Sequence, residues 1–180
     1  MYLEDVNIEG FKSFSEKTNM GFQPGIGVII GNNGVGKSNI LDAVVWALGE
    51  DDILRVRCYE EDELFFSGSK NYPPASRIRV ELSMKGGEGK DAPVTWIIRE
   101  KNREGQDRYW INNEEYDRKS YLQKLKEMDL EHALKTIIRQ EQINDLLLMN
   151  PQERFSSLQS LFEMDTEDQS TKNFEEVIGP

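Results

Sequence analysis

Polar and apolar positions alternate strictly over residues 77–84. Ile78, Val80, Leu82 and Met84 fall on one side, and Arg77, Arg79, Glu81 and Ser83 on the other. A period of two with one apolar side predicts a half-buried antiparallel strand. Residues 2–9 alternate more loosely, with Tyr2, Val6 and Ile8 apolar, and residues 16–22 read as a second strand before the Pro24-Gly25 turn. Val94 to Glu100 and Asp107 to Asn112 read as further strands, with Asn112-Asn113 turning the chain into Glu115-Tyr116. Two short apolar runs, Gly27-Val28-Ile29-Ile30 and Leu64-Phe65-Phe66, predict short buried strands. Helical spacing takes over at 39–48, where Ile40, Leu41, Val44, Val45 and Leu48 fall on one face ahead of Gly49. It returns at 118–128 through Tyr121, Leu122, Leu125 and Met128, and again over Gln142 to Met149. Thr136 to Gln140 reads as a strand running into a loop. Asn150-Pro151-Gln152-Glu153 then starts a helix that reaches about Phe162, with Asn as cap, Pro first and Glu third.

Between the run at 27–30 and the helix at 39–48 stands Gly31-Asn32-Asn33-Gly34-Val35-Gly36-Lys37-Ser38. It fits G-x-x-x-x-G-K-[ST], the phosphate-binding loop, with a strand expected before it and a helix after it. Glycines let successive N–H groups point inward at phosphate oxygens, and the helix start adds its positive dipole end. Lys37 is then expected to reach the β- and γ-phosphates of ATP, and the Ser38 hydroxyl to ligate Mg2+. A plain glycine-rich turn would explain the glycines but not the Lys37-Ser38 that follows them.

The chain has 180 residues, 37% of them hydrophobic, and a net charge of −11, which argues against a generic nucleic-acid coat. Residues 70–126 alone are net basic, with 13 basic and 9 acidic side chains. Any direct DNA contact by this chain would use bases such as Arg77, Arg79, Arg99, Lys101 or Arg103. Their interleaving with acids suits an ordinary solvated surface equally well. The single cysteine, Cys58, excludes an internal disulfide and suits a reducing compartment. The single histidine, His132, excludes a histidine-based metal cluster and reads as a surface residue. No apolar run reaches the length of a membrane span and the N-terminus has no basic signal-peptide head, so a soluble, cytosolic protein is expected.

Several motifs occur together and in order: Phe11-Lys12-Ser13-Phe14, the loop Gly31–Asn39, Trp46-Ala47-Leu48-Gly49-Glu50, and Phe66-Ser67-Gly68-Ser69. Tyr109-Trp110-Ile111-Asn112, Ile137-Ile138-Arg139-Gln140 and Asn150-Pro151-Gln152-Glu153-Arg154 follow. In this set the chain resembles the N-terminal half of the head of an SMC (structural maintenance of chromosomes) ATPase, over about residues 1–162. The resemblance implies an α/β fold, the N-terminal lobe of a P-loop, ABC-type ATPase, with a mixed sheet, an antiparallel β subdomain and flanking helices. The phosphate-loop part would span 1–69, the β subdomain 70–117, and a helix and Q-loop region 118–162. Residues 163–180 would be an acidic tail or linker.

The same resemblance implies a nucleotide site built from Lys12, Ser13, Asn32, Asn33, Gly34, Val35, Gly36, Lys37, Ser38, Asn39, Arg57 and Gln140. Ser38 and Gln140 would be the Mg2+ ligands, and ATP and Mg2+ the cofactors. Gln140 matches the Q-loop glutamine, though Arg139-Gln140-Glu141 stands where the family has Gly-Gln-Gly, and Gln142 is an alternative. Arg57 aligns with the family's R-loop arginine, with Arg55 as the alternative, and an ion pair with nearby acids is the competing explanation of Arg57. For Phe11–Phe14 the competing explanation is a hairpin plugged by its aromatics.

The family's catalytic Asp-Glu pair has no counterpart here, since no apolar run ends in Asp-Glu, and no heptad repeat follows Phe162. The chain therefore reads as a truncated piece or one half of a split head, with no catalytic residue of its own. Its implied partners are the C-terminal half of the same head, a second SMC-like head, DNA through the full complex, and a kleisin-type subunit. Rival readings are a non-catalytic module that docks onto SMC-type heads, and the head of a related double-strand-break repair ATPase. A self-contained P-loop kinase would need its own Mg2+-positioning carboxylate and a substrate lid, and the sequence offers neither.

Overall fold

The computed structural model describes residues 1–87, 89, 91–130, 134, 137 and 148–162. Six strands form one sheet: β1 (Tyr2–Glu9), β2 (Thr18–Gly21), β3 (Arg77–Lys85), β4 (Val94–Asn102), β5 (Asp107–Ile111) and β6 (Glu114–Tyr116). Their order is β2-β1-β3-β4-β5-β6 and every neighbouring pair is antiparallel. Strands from residues 77–116 thus extend the sheet that β1 and β2 begin. The strands at 2–9, 77–84, 94–100 and 107–112 stand where the alternation places them. The turn from β5 to β6 holds Asn112 at φ 55, a left-handed value that asparagine tolerates.

Register aligns two rows of side chains across the buried side of the sheet. One row runs Val6, Leu82, Ile97, Ile111, and the next runs Ile8, Val80, Arg99, Tyr109. Helix α1 (Lys37–Ala47) packs on β1, β3 and β4. Its Trp46 is buried against Phe11, ring centroids 5.7 Å apart, a pairing worth about 0.5–1.5 kcal/mol beyond the area it buries. Helix α2 (Arg118–Glu127) covers β5 and β6 and is capped by Asp117, which accepts from Ser120 N at 3.0 Å. Tyr121 of α2 is buried and donates its hydroxyl to Ala47 O at 2.5 Å, which ties the two helices together. Burial pushes its phenol above the ordinary tyrosine range.

Arg99 is the anomaly of the core. It sits in a row of apolar residues, 2% exposed, with its guanidinium 4.3 Å from the Trp46 ring centroid. It donates to Trp46 O and Glu50 O at the C-terminal end of α1, and pairs with Asp51 and Asp107 at 2.7 and 2.8 Å. Burial opposes its charge, but the Asp107 and Asp51 carboxylates outweigh burial and hold its pKa above the ordinary arginine value.

Four expectations need correction. Val28–Ile30 is no strand, and its side chains are not buried: Ile26, Val28 and Ile30 are 100, 75 and 89% exposed. An apolar run becomes a strand only with a neighbour to pair and a face to cover, and the six-stranded sheet gives it neither. Leu64–Phe66 makes only an isolated bridge, Phe11 to Phe65, after a one-turn 3-10 helix at Glu61–Leu64. Helix α1 buries Ile40, Val45 and Leu48 as expected, but the buried face is rotated and wider than the spacing implies. Leu41 is exposed, while Asp42, Ala43 and Trp46 are buried, because Asp42 has charged partners beneath the helix. Ser83 is likewise buried rather than outward-facing, bonded to Glu4 at 3.4 Å.

Residues Met1–Glu131 form one compact unit. The second unit, His132–Pro180, is described here by helix α3 (Pro151–Phe162). Its start has the expected reciprocal cap: Asn150 Oδ1 accepts from Glu153 N at 2.9 Å, and Asn150 N donates to Glu153 Oε2. His132, most of the Thr136–Gln140 and Gln142–Met149 stretches, and the tail 163–180 lie outside the described residues.

Candidate phosphate-binding site

The loop from Gly31 to Gly36 leads directly into α1. Gly34 and Gly36 have φ of 82 and 96, values that side-chain-bearing residues rarely adopt. Gly36 is also pressed on Ser13, and a Cβ there would overlap the Ser13 hydroxyl oxygen. Gly36 caps α1 with no side-chain acceptor, and the first helical turn holds no acid. The first-turn N–H groups therefore have no carboxylate of their own to satisfy them, which suits an incoming anion. Lys37 curls its ammonium back over the loop, donating to Gly31 O at 2.6 Å and Asn32 O at 2.7 Å. Asn32, Asn33, Gly34, Val35 and Ser38 are all exposed.

A second group of residues lies beside the loop. Lys12, held at φ 49 with its N–H on Leu64 O, donates its ammonium to Asp42 Oδ2 at 2.7 Å and to Val56 O. Arg57, at φ 57 after the short 3-10 helix Ile53–Val56, pairs with the same Asp42 oxygen at 2.6 Å. Its Nη2 also donates to Asn39 Oδ1 at 3.3 Å, and Asn39 in turn donates to Ser13 Oγ at 2.9 Å. Lys12, Ser13, Gly36, Asn39 and Arg57 are thus linked through contacts, although they span 46 positions of sequence. Arg55 is not part of this group; it is exposed and pairs with Glu50. Gln140 and Gln142 lie outside the described residues.

Asp42 is the residue that sequence reasoning missed. It is 1% exposed and accepts from both Lys12 and Arg57. The available signal was an acid embedded in an otherwise apolar helical stretch. The expected ion pair of Arg57 exists, and this buried carboxylate is its partner. Next to Arg57, Cys58 is buried, and its desolvation raises the thiol pKa against the opposing pull of Lys12.

These residues fit a polyphosphate. They supply a helix start without an acid, glycines that admit close approach, and the cations Lys12, Lys37 and Arg57. The exposed Ser38 hydroxyl at the head of α1 suits one ligand position of a magnesium ion. Among the described residues no group of three or more His, Cys, Asp or Glu is arranged to hold a metal. The Asp42 oxygens are occupied by Lys12 and Arg57.

A cavity of about 990 Å3 lies at the other end of α1 and includes Trp46, Arg99, Lys101, Asp107, Tyr109 and Arg118 in its lining. Its charged groups are matched to one another: Arg99 to Asp51 and Asp107, Lys101 to Glu61 at 3.1 Å, and Arg118 to Asp51. We place the functional site at the loop because the loop presents anion-binding groups and the cavity presents closed ion pairs. The bases that the sequence offers to DNA do not make an open cationic face either. Arg99 is buried, Arg77 and Arg79 share Glu100, Lys101 holds Glu61, and Arg103 holds Asp62. Among the described residues no helix is long and apolar enough to cross a membrane.

Comparison with known proteins agrees with this geometry. The family model for the RecF/RecN/SMC N terminal domain matches residues 2–134. The chromosome partition protein Smc of Fusobacterium nucleatum is 37% identical over 160 residues, covering 85% of this chain but only 13% of that protein. The chain therefore spans a small fraction of the curated relative's length. A chain solved in work on the ATP-driven dimerization and DNA-stimulated activation of SMC ATPases superposes with a TM-score of 0.79 at 30% identity. It covers 89% of this chain and 99% of that one. The Smc head of Pyrococcus furiosus, solved with an extended coiled coil and bound to the C-terminal domain of ScpA, gives 0.75 at 31% identity, covering 87% of this chain and 40% of that one. The chain belongs to the RecF/RecN/SMC N-terminal domain family, as the N-terminal segment of an SMC-type head.

Proposed function

We propose that this chain binds ATP and magnesium as the N-terminal half of an SMC-like head, and that hydrolysis requires a C-terminal half and a second head. The observation that carries the reading is the loop itself: left-handed Gly34 and Gly36, an α1 start without an acid, and Lys37 poised over the loop carbonyls. The loop amides and Lys37 hold the β- and γ-phosphates. Lys12, Ser13, Asn39 and Arg57 flank them, and the Ser38 hydroxyl holds the metal, with Gln140 as its second protein ligand. Bound magnesium supplies charge neutralisation on the phosphates. Asp42, the acid beside the loop, is taken up by Lys12 and Arg57, and we assign the acid that positions a hydrolytic water to the C-terminal half.

The exposed apolar segment 26–30 supports the same division of labour. Its uncovered side chains form a seam next to the loop, suited to a strand from the C-terminal half. The larger roles follow from the relatives: a second head engaging through ATP, a kleisin-type subunit such as ScpA, and DNA organised by the full complex in chromosome partition.

Titration of the 180-residue chain with Mg–ATP tests the binding claim. Wild type is expected to bind and Lys37→Ala to lose at least about tenfold in affinity, as removal of a charge-assisted phosphate contact does. Turnover is expected only after the C-terminal half is added. Robust hydrolysis by the chain alone would overturn the split site, and equal binding by Lys37→Ala would overturn the loop assignment.

A further inference from the structure

Asp42 carries an inference that deepens the triphosphate reading and rests on it. An ionised carboxylate held 1% exposed within a helix is stable only when it is paired and hydrogen-bonded. Here two cations share it, and they are held differently. The Lys12 side chain is 10% exposed and is also fixed by Val56 O. The Arg57 side chain is 39% exposed, and its guanidinium donates to Asp42 through Nε and Nη2 and to Asn39 through Nη2. Both acceptors stand on α1, the helix that begins in the phosphate loop. The direction of the Arg57 fork is therefore referred to the loop by the loop's own helix, although Arg57 itself stands on a separate turn.

We propose that Asp42 is a positioning residue. With Asn39 it aims the Arg57 guanidinium at the phosphates bound in the loop, and buried Lys12 is the counter-charge that keeps the carboxylate in place. Asp42 itself touches no nucleotide.

A double-mutant cycle read by Mg–ATP and AMP titration tests this. Asp42→Asn keeps the shape and removes the charge. It is expected to weaken Mg–ATP binding about tenfold and AMP binding less than about twofold, because the aimed charge serves the distal phosphates. In an Arg57→Ala background the same substitution is expected to change Mg–ATP affinity hardly at all, since coupled residues are not additive. A merely structural Asp42 would give the full loss in both backgrounds, and that result overturns the proposal. Should Asp42→Asn fail to fold, Asn39→Ala carries the cycle on a partly exposed side chain, with a smaller loss that likewise vanishes without Arg57. The Arg57 Nε–H resonance gives a ligand-free check. Slow solvent exchange is expected in wild type, and exchange as fast as in a solvated arginine overturns the proposal. A wild-type chain that binds no Mg–ATP overturns the triphosphate reading and this one with it. Binding without Arg57-dependent coupling overturns this one alone.

Discussion

At the scale of single residues, the site is built by side chains whose neighbours are distant in sequence. Lys12 and Asp42 are 30 positions apart, and Asp42 and Arg57 15. The loop was legible because its glycines, Lys37 and Ser38 follow one another at fixed offsets. Asp42 was not, since an acid on a helix ordinarily faces solvent and nothing local announces Lys12 and Arg57 as its partners. Cys58 shows the same limit, being buried where the fold brings Lys12 and Asp42 near it. Its burial has a measurable consequence. With its pKa raised by desolvation, the folded thiol keeps its proton to higher pH than the unfolded one. Alkylation at pH 8 is therefore expected to be slow in the native chain and fast in denaturant. The sign of the linkage follows: the unfolded chain loses this proton first, so native stability falls as pH rises past about 8.5. Cys58→Ala is expected to flatten that fall in urea titrations run across the same range.

At the scale of elements, the strands were legible because their period survives in the fold, from Ile78 to Leu82, with the buried Ser83 the break before Met84. The buried face of α1 was less so. Helical spacing selected Leu41 and Val44, but the helix turns Asp42 and Trp46 inward, toward Lys12 on one side and Arg99 on the other. Arg99 is the clearest case of tertiary context overriding local pattern. An arginine in a strand reads as outward-facing or nucleic-acid-binding, yet this one terminates α1 by bonding Trp46 O and Glu50 O. Arg99→Met is expected to lower stability by about 3 kcal/mol in urea denaturation, because it leaves Asp107 with only Lys101 at 3.9 Å and frees the Trp46 and Glu50 carbonyls of their donor. Arg99→Lys is expected to restore little of it, since an ammonium cannot reach two carbonyls and two carboxylates in one plane. A loss below 1 kcal/mol for Arg99→Met would show that the carbonyls find other donors.

At the scale of the whole molecule, the sequence pattern identified Val28–Ile30 as material for a sheet but could not say whose. Hydrophobicity reports that a segment is to be covered; it carries no information on which polypeptide covers it. The described sheet leaves this segment open while placing its sequence neighbour, the phosphate loop, on the same exposed stretch. Val28→Asp with Ile30→Asp is expected to abolish co-purification with a C-terminal half without lowering the melting temperature of the chain alone, since these side chains support nothing within it. A drop in melting temperature instead would place the segment in the chain's own core. For a cell, an uncovered greasy ribbon of this kind is what holdases and proteases recognise. Closure of the partner lobe is expected to hide that mark, so survival of the head in a cell depends on how promptly its two lobes meet.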